Sequence, residues 1–158
     1  MTTLAMPKRK TKDNPYRVGR AHTGLGLFAT EEFKKRAFIV EYTGRLISNE
    51  RAAYLDSRRA NKYLFELNSR WTIDGSTRRN LARYVNHSCK PNAEAELERG
   101  RMVFRACKRI KPGDEITIDY GEEYLEFYFG KHGCLCEGCR PNAKRKARKK
   151  AKKFKKQS

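Results

Sequence analysis

The amino-acid sequence predicts a mainly β protein with minor helix. Three observations carry this: β-branched and aromatic runs recur along the middle of the chain, turn-forming residues separate them, and one stretch alone has convincing helical composition. The runs are Ala37 to Tyr42, Tyr63 to Leu67, Trp71 to Ile73, Met102 to Ala106 and Glu115 to Tyr120, which read as five or more strands. The helix is expected from Ser48 to about Arg59. Ser48 offers a hydroxyl to the free N–H groups of a first turn, and Ala52, Ala53, Tyr54 and Leu55 follow it. A second, short helix is expected over Arg79 to Val85. Between two of the strands, Lys111-Pro112-Gly113-Asp114 reverses the chain, with Pro112 fixing φ and Gly113 free to take a positive φ.

A chain of 158 residues has room for one domain with an ordinary core. Its net charge of +19 draws it toward polyanions, or toward proteins that sit on them. That charge is uneven, since residues 143–158 hold ten Lys and Arg. Four parts are expected: a flexible basic arm over 1–14, a folded domain over 15–128, a short cysteine-bearing segment over 129–141, and a disordered basic tail over 142–158. No run of apolar residues reaches the 18 or so that a membrane span needs, and the first residues lack the apolar core of a secretory signal. The expectation is an intracellular protein with no membrane partner. Cys134, Cys136 and Cys139 stand too close together for mutual disulfides and in a spacing typical of metal ligands, which points to a reducing compartment.

Three segments have the density of a functional site. His22-Thr-Gly-Leu-Gly-Leu-Phe28 can bring backbone close to a ligand, or can simply make a tight turn. Arg83-Tyr-Val-Asn-His-Ser-Cys-Lys-Pro-Asn92 concentrates donors and acceptors at Asn86 and His87 and is stopped by Pro91, as a surface loop would also be. Glu115-Ile-Thr-Ile-Asp-Tyr-Gly121 ends a strand at a glycine, with Tyr120 placed either in a site or in the core.

In this order, Gly24-Leu-Gly26, Glu41-Tyr-Thr-Gly44, Asn80-Leu-Ala-Arg-Tyr-Val-Asn-His-Ser-Cys89, Asp114-Glu-Ile-Thr-Ile-Asp-Tyr-Gly121 and Cys134-Leu-Cys-Glu-Gly-Cys139 resemble the SET-domain protein-lysine methyltransferases with a post-SET cysteine motif. The resemblance runs from about Tyr16 to Arg140. It implies the SET fold, small curved sheets in which the Asn86-His87 and Tyr120 segments meet in a knot-like crossing. It implies S-adenosylmethionine as cofactor, with the backbone of Leu25, Gly26 and Leu27 at its methionine end and Asn86 and His87 at its adenine and amino ends. Tyr120 is then the central catalytic residue and Tyr42 a second wall of the lysine channel, with Tyr63 and Phe65 as further channel aromatics or as core.

The same resemblance supplies Cys89 as fourth ligand, beside Cys134, Cys136 and Cys139, to a structural zinc ion. Cys107 is left as a small core residue in its strand. The chain departs from the family at two places. Ile118 stands where Phe or Tyr is frequent, and without a hydroxyl to hold water it is expected to permit a second or third methyl group. Arg79 replaces the glycine common before Asn80, which puts the local turn in question.

Lysine methylation suits these residues, because an in-line displacement needs alignment and a neutral amine rather than a nucleophilic side chain. A lysine of pKa about 10.4 costs about 4 to 5 kcal/mol to present uncharged at pH 7. A narrow aromatic channel reduces that cost by desolvation, and a nearby sulfonium acts in the same direction. The expected partner is a protein presenting a lysine, possible nucleic acid being reached through the basic tail, and the chain itself is expected to be a monomer. A nuclear or chromosomal location is expected for a eukaryotic chain, and cytoplasm or nucleoid for a bacterial one. The alternative is a non-catalytic SET scaffold that binds beside nucleic acid.

Overall fold

The structure, a computed structural model, describes residues 14–130, 133–137 and 139. The basic arm and tail expected at the ends lie outside the described residues, except Asn14. Among the described residues, ten strands are grouped into four small sheets, with two short helices set among them. The hairpin β1 (Tyr16–Ala21) and β2 (Gly24–Ala29) turns at His22 and Thr23, where Ala21 faces Gly24. β3 (Phe38–Glu41) pairs with β9 (Arg101–Ala106), which pairs in turn with β8 (Ala93–Glu98). β4 (Arg45–Ser48) and β5 (Leu64–Glu66) flank β6 (Trp71–Asp74). The last sheet is only two residues deep: β7 (Asn86–His87) lies parallel to β10 (Thr117–Ile118).

The first helix is where its composition places it. α1 (Asn49–Arg58) begins at Ser48, whose hydroxyl accepts from the N–H of Arg51 at 3.2 Å. The second expected helix shrinks to a 3₁₀ turn over Leu81–Tyr84. Arg79 does not disturb that turn. It is exposed, and the N–H of Asn80 donates to the Thr77 carbonyl at 3.1 Å. The Lys111 to Asp114 turn closes through the Asp114 N–H at 3.1 Å, with φ of 90° at Gly113.

The last expected strand is shorter than its sequence run because the segment changes partner. Glu115 bridges Phe28, and the N–H of Ile116 donates to the Leu27 carbonyl at 2.8 Å; only Thr117 and Ile118 reach β7. Asn92 holds that crossing, donating from Nδ2 to the Glu115 carbonyl at 2.8 Å and accepting from the Thr117 N–H at 2.9 Å. Leu27, Phe104, Ile110 and Ile116 are fully buried around it, so the crossing is also the centre of the core. Cys107 sits just past the end of β9 rather than in it, half-buried, with its thiol 3.6 Å from the Pro91 carbonyl. A second helix, α2 (Glu122–Phe129), follows Tyr120, and its eight residues are too few to show a helical period.

Asn80 joins the sheets behind the site. It is fully buried, accepts from the Thr43 N–H at 3.1 Å and donates to the Gly75 carbonyl at 3.0 Å. Gly75 lies so close that a Cβ there would be 2.4 Å from both Asn80 Nδ2 and the Tyr42 ring. Asn80→Ala removes the partner of the Thr43 N–H and of the buried Gly75 carbonyl together. The expected loss is about 1 to 3 kcal/mol of stability, read as a lowered denaturant midpoint; an unchanged midpoint would remove this link.

Candidate active site

Two hollows meet on either side of Asn86. One, of about 570 Å³, is walled by aromatic residues: Tyr42, Tyr63, Phe65, Tyr84, Tyr120 and Tyr124. The other, about 410 Å³, is more polar and runs past His22, His87 and Glu115 to Leu135 and Cys136. Thr23 and Asn86 line both. Gly24 and Leu25 stand at the aromatic side of this junction, and Leu25 is more than half exposed. Gly26 and Leu27 are buried beneath it. At Gly26 a Cβ would lie 2.6 Å from Glu115 Oε1 and 3.2 Å from Asn86 Nδ2, so only glycine fits there without displacing them.

The aromatic wall has a consistent chemistry. Tyr120 donates its hydroxyl hydrogen to the Val85 carbonyl at 2.5 Å, Tyr42 to the Tyr63 carbonyl at 2.7 Å, and Tyr124 to the Lys62 carbonyl at 3.0 Å. Burial pushes all three phenols above their ordinary range, so they stay neutral at physiological pH. With each hydrogen committed to backbone, the lone pairs of these oxygens are left as acceptors. Tyr120 also packs edge-on against Tyr124, with ring centroids 4.8 Å apart. Tyr63 differs from them. The Arg83 guanidinium lies 4.0 Å from its ring centroid, and hydrogen bonding from Arg83 holds its phenol below the usual value.

His87 sits between this wall and the cysteines. The Tyr120 N–H donates to its Nδ1 at 3.1 Å, which assigns the hydrogen to Nε2, 3.2 Å from the Cys89 sulfur. Burial lowers the pKa of the ring, against an opposing pull from Asp119.

The expected cysteines do converge. One donor atom each from His87, Cys89, Cys134 and Cys136 fall within 4.8 Å of one another, and the sulfur of Cys139 is 3.4 Å from that of Cys89. A tetrahedral zinc with bonds of about 2.3 Å would set its sulfurs roughly 3.8 Å apart; Cys89, Cys134 and Cys136 stand near that spacing together with His87, and Cys139 adjoins them through Cys89. The thiols divide unequally. Burial and its sulfur neighbours push Cys89 up, whereas Cys136, despite burial, is drawn down to about 6 by hydrogen bonds that include the Cys89 N–H at 3.4 Å. Crowded sulfurs that can hold little charge by themselves are a donor set suited to a soft dication.

A family model described as SET domain matches residues 24–121. The chain belongs to the SET-domain family. Human histone-lysine N-methyltransferase 2D is 33% identical over 133 residues, covering 79% of this chain and 2% of that protein. The Drosophila melanogaster histone-lysine N-methyltransferase Set2 is 38% identical over 133 residues, covering 78% of this chain and 6% of that protein. This chain therefore spans a small fraction of the length of these relatives. Among solved structures, a Chaetomium thermophilum Polycomb Repressive Complex 2 in an autoinhibited conformation bound to S-adenosylmethionine aligns with a TM-score of 0.62. It is 32% identical, over 68% of this chain and 15% of that one.

In this SET domain Leu25, Tyr42, Tyr63, Phe65, Asn86 and Tyr120 line the aromatic chamber, while His87 and Cys136 line the polar hollow. The domain adds four residues that sequence reasoning did not single out: Glu115, Asn92, Tyr124 and Arg83. Arg83 is wedged behind the wall, donating to the Ser76 carbonyl, and its Nε is buried without a partner among the described residues. For Tyr124 the available signal was its position four residues after Tyr120.

Proposed function

We propose that this SET domain catalyses transfer of a methyl group from S-adenosylmethionine to the side-chain amine of a lysine in a protein substrate, a histone or another chromatin-like protein. The observation that carries the reading is the aromatic chamber, whose phenols are held by backbone carbonyls with their oxygen lone pairs left as acceptors and which opens beside Asn86 and Leu25. The methyltransferases among its relatives, and the S-adenosylmethionine-bound structure it resembles, support the same activity. Relatives that modify histones also support a nuclear or chromatin setting. Among the described residues no helix is long and apolar enough to cross a membrane. Nucleic acid reached through residues 142–158, and action as a monomer, belong to the same proposal.

The roles follow from chemistry. Backbone at Leu25, Gly26 and Leu27, with Asn86 and His87, fits the methionine and adenosyl ends of the cofactor: Leu25 is exposed, Gly26 leaves room, and Leu135 lines the polar hollow together with His87. Bound there, the sulfonium supplies an electrophilic methyl group. Tyr120, held by Val85, directs an oxygen lone pair at the amine or at the methyl hydrogens, and Tyr42 walls the channel opposite. Because these phenols are neutral, they position the amine and do not take its proton. The surrounding rings desolvate the lysine and favour its uncharged form. Ile118 is nearly fully buried and reaches the chamber without a polar atom, consistent with the expectation that more than one methyl group is accepted. Cys89, Cys134, Cys136 and Cys139 would hold zinc as a structural clamp that fixes Leu135 over the polar hollow.

Isothermal titration of the chain with S-adenosylmethionine tests the cofactor assignment. The wild-type chain is expected to bind, and Asn86→Ala to weaken binding by about tenfold or more. Unchanged affinity in the variant would dismiss Asn86 from the cofactor site.

A further inference from the structure

Among the described residues Glu115 is the one carboxylate hydrogen-bonded to Asn86, and none of the roles above employs its side chain. We infer that Glu115 is a positioning residue, which fixes the rotation of the Asn86 carboxamide so that its oxygen, and not its NH2 group, is presented to the cationic amino end of the cofactor. This rests on the reading of the site as one for S-adenosylmethionine.

A carboxamide has two ends of nearly equal size, and a half-turn exchanges a donor for an acceptor. At Asn86 both hydrogens of the NH2 group are taken. Nδ2 donates to the Leu25 carbonyl at 3.0 Å and to Glu115 Oε1 at 2.7 Å. The oxygen accepts no hydrogen bond from the described residues. A half-turn would set it against two acceptors at these same distances, one of them an acceptor-only carboxylate. An ammonium carries donors and no acceptor, so the retained orientation is the one that suits it and the flipped one is repulsive.

The carboxylate is itself well placed for this. The backbone of Glu115 bridges Phe28, its carbonyl accepts from Asn92 Nδ2 at 2.8 Å, and the following N–H is bound to Leu27. The same β2 strand that presents Leu25 therefore anchors the residue that orients Asn86. Gly26 completes the arrangement, since a Cβ there would lie 2.6 Å from Glu115 Oε1.

The test uses the full chain, with two readouts on the same variants. Side-chain amide resonances of Asn86, recorded without cofactor, report the contact, and titration with S-adenosylmethionine reports its consequence. Glu115→Ala is expected to move the Asn86 amide resonances and to raise Kd about tenfold, while Glu115→Gln, which keeps an acceptor oxygen, stays within about threefold. In an Asn86→Ala background, Glu115→Ala should add little, because the two act as one unit. A full additional loss in that background would overturn the proposal, as would a Glu115→Gln variant as weak as Glu115→Ala. If the wild-type chain binds but the Asn86 resonances ignore Glu115→Ala, the proposal alone fails. If the wild-type chain takes up no S-adenosylmethionine, the site reading fails and carries the proposal with it.

Discussion

Tyr120→Phe is expected to lower turnover about a hundredfold or more, while the Kd for S-adenosylmethionine changes by less than about threefold. The substitution removes one oxygen and leaves the ring, so the edge contact to Tyr124 and the wall of the chamber survive. What is lost is an acceptor fixed by the Val85 carbonyl at 2.5 Å, in a place where burial keeps the phenol neutral. Such an oxygen is worth most when bonds are being exchanged, because it is aligned before the reaction and needs no reorganisation. Stability should fall by only about 1 kcal/mol, the net value of one hydrogen bond. Steady-state kinetics beside cofactor titration separates the two effects. Equal turnover in the variant would remove Tyr120 from catalysis, and a matching loss of affinity would make it a binding residue instead.

The second large effect is expected at the cysteines. Cys136→Ser should abolish stoichiometric zinc, measured by elemental analysis, and should weaken cofactor binding by roughly tenfold or more through loss of the Leu135 segment from the polar hollow. Cys136 is the buried member of the set, and its sulfur already accepts the Cys89 N–H at 3.4 Å, so it is held in place toward the other ligands. The core around Leu27, Phe104 and Ile116 does not depend on it, so the main unfolding transition should persist. Zinc affinity should also fall as pH falls, because thiolate ligands must give up protons to bind. Retention of one zinc per chain by Cys136→Ser would exclude this cysteine from the metal set.

Much of this architecture was legible in the residues, and the exceptions have physical causes. Ser48 announced α1 because a cap is a local device, and Pro112 with Gly113 announced a turn for the same reason. The β2 strand was hidden because glycines at 24 and 26 weaken any strand signal, although Leu27 and Ala29 alternate inward from them. β8 was hidden by Glu94, Glu96 and Glu98, whose burden of charge is carried on an outer sheet beside Arg36 and Arg105. Cys134, Cys136 and Cys139 displayed a ligand spacing, whereas Cys89, 50 residues before Cys139, was reachable only through the family resemblance. Glu115 was least legible of all. Its partner Asn86 lies 29 residues away, and an acid at the start of an alternating run gives no sign that it faces an amide across a chain crossing.

The most direct measurement is methyl transfer from radiolabelled S-adenosylmethionine to mixed histones, to a basic cell-protein extract and to the chain alone, with Tyr120→Phe run in parallel and zinc retained throughout. Label on lysine is expected in at least one lane, lost or nearly lost with Tyr120→Phe. Label indifferent to Tyr120, or none in any lane from a chain that does not bind the cofactor, would contradict that expectation and leave a SET domain acting as a scaffold.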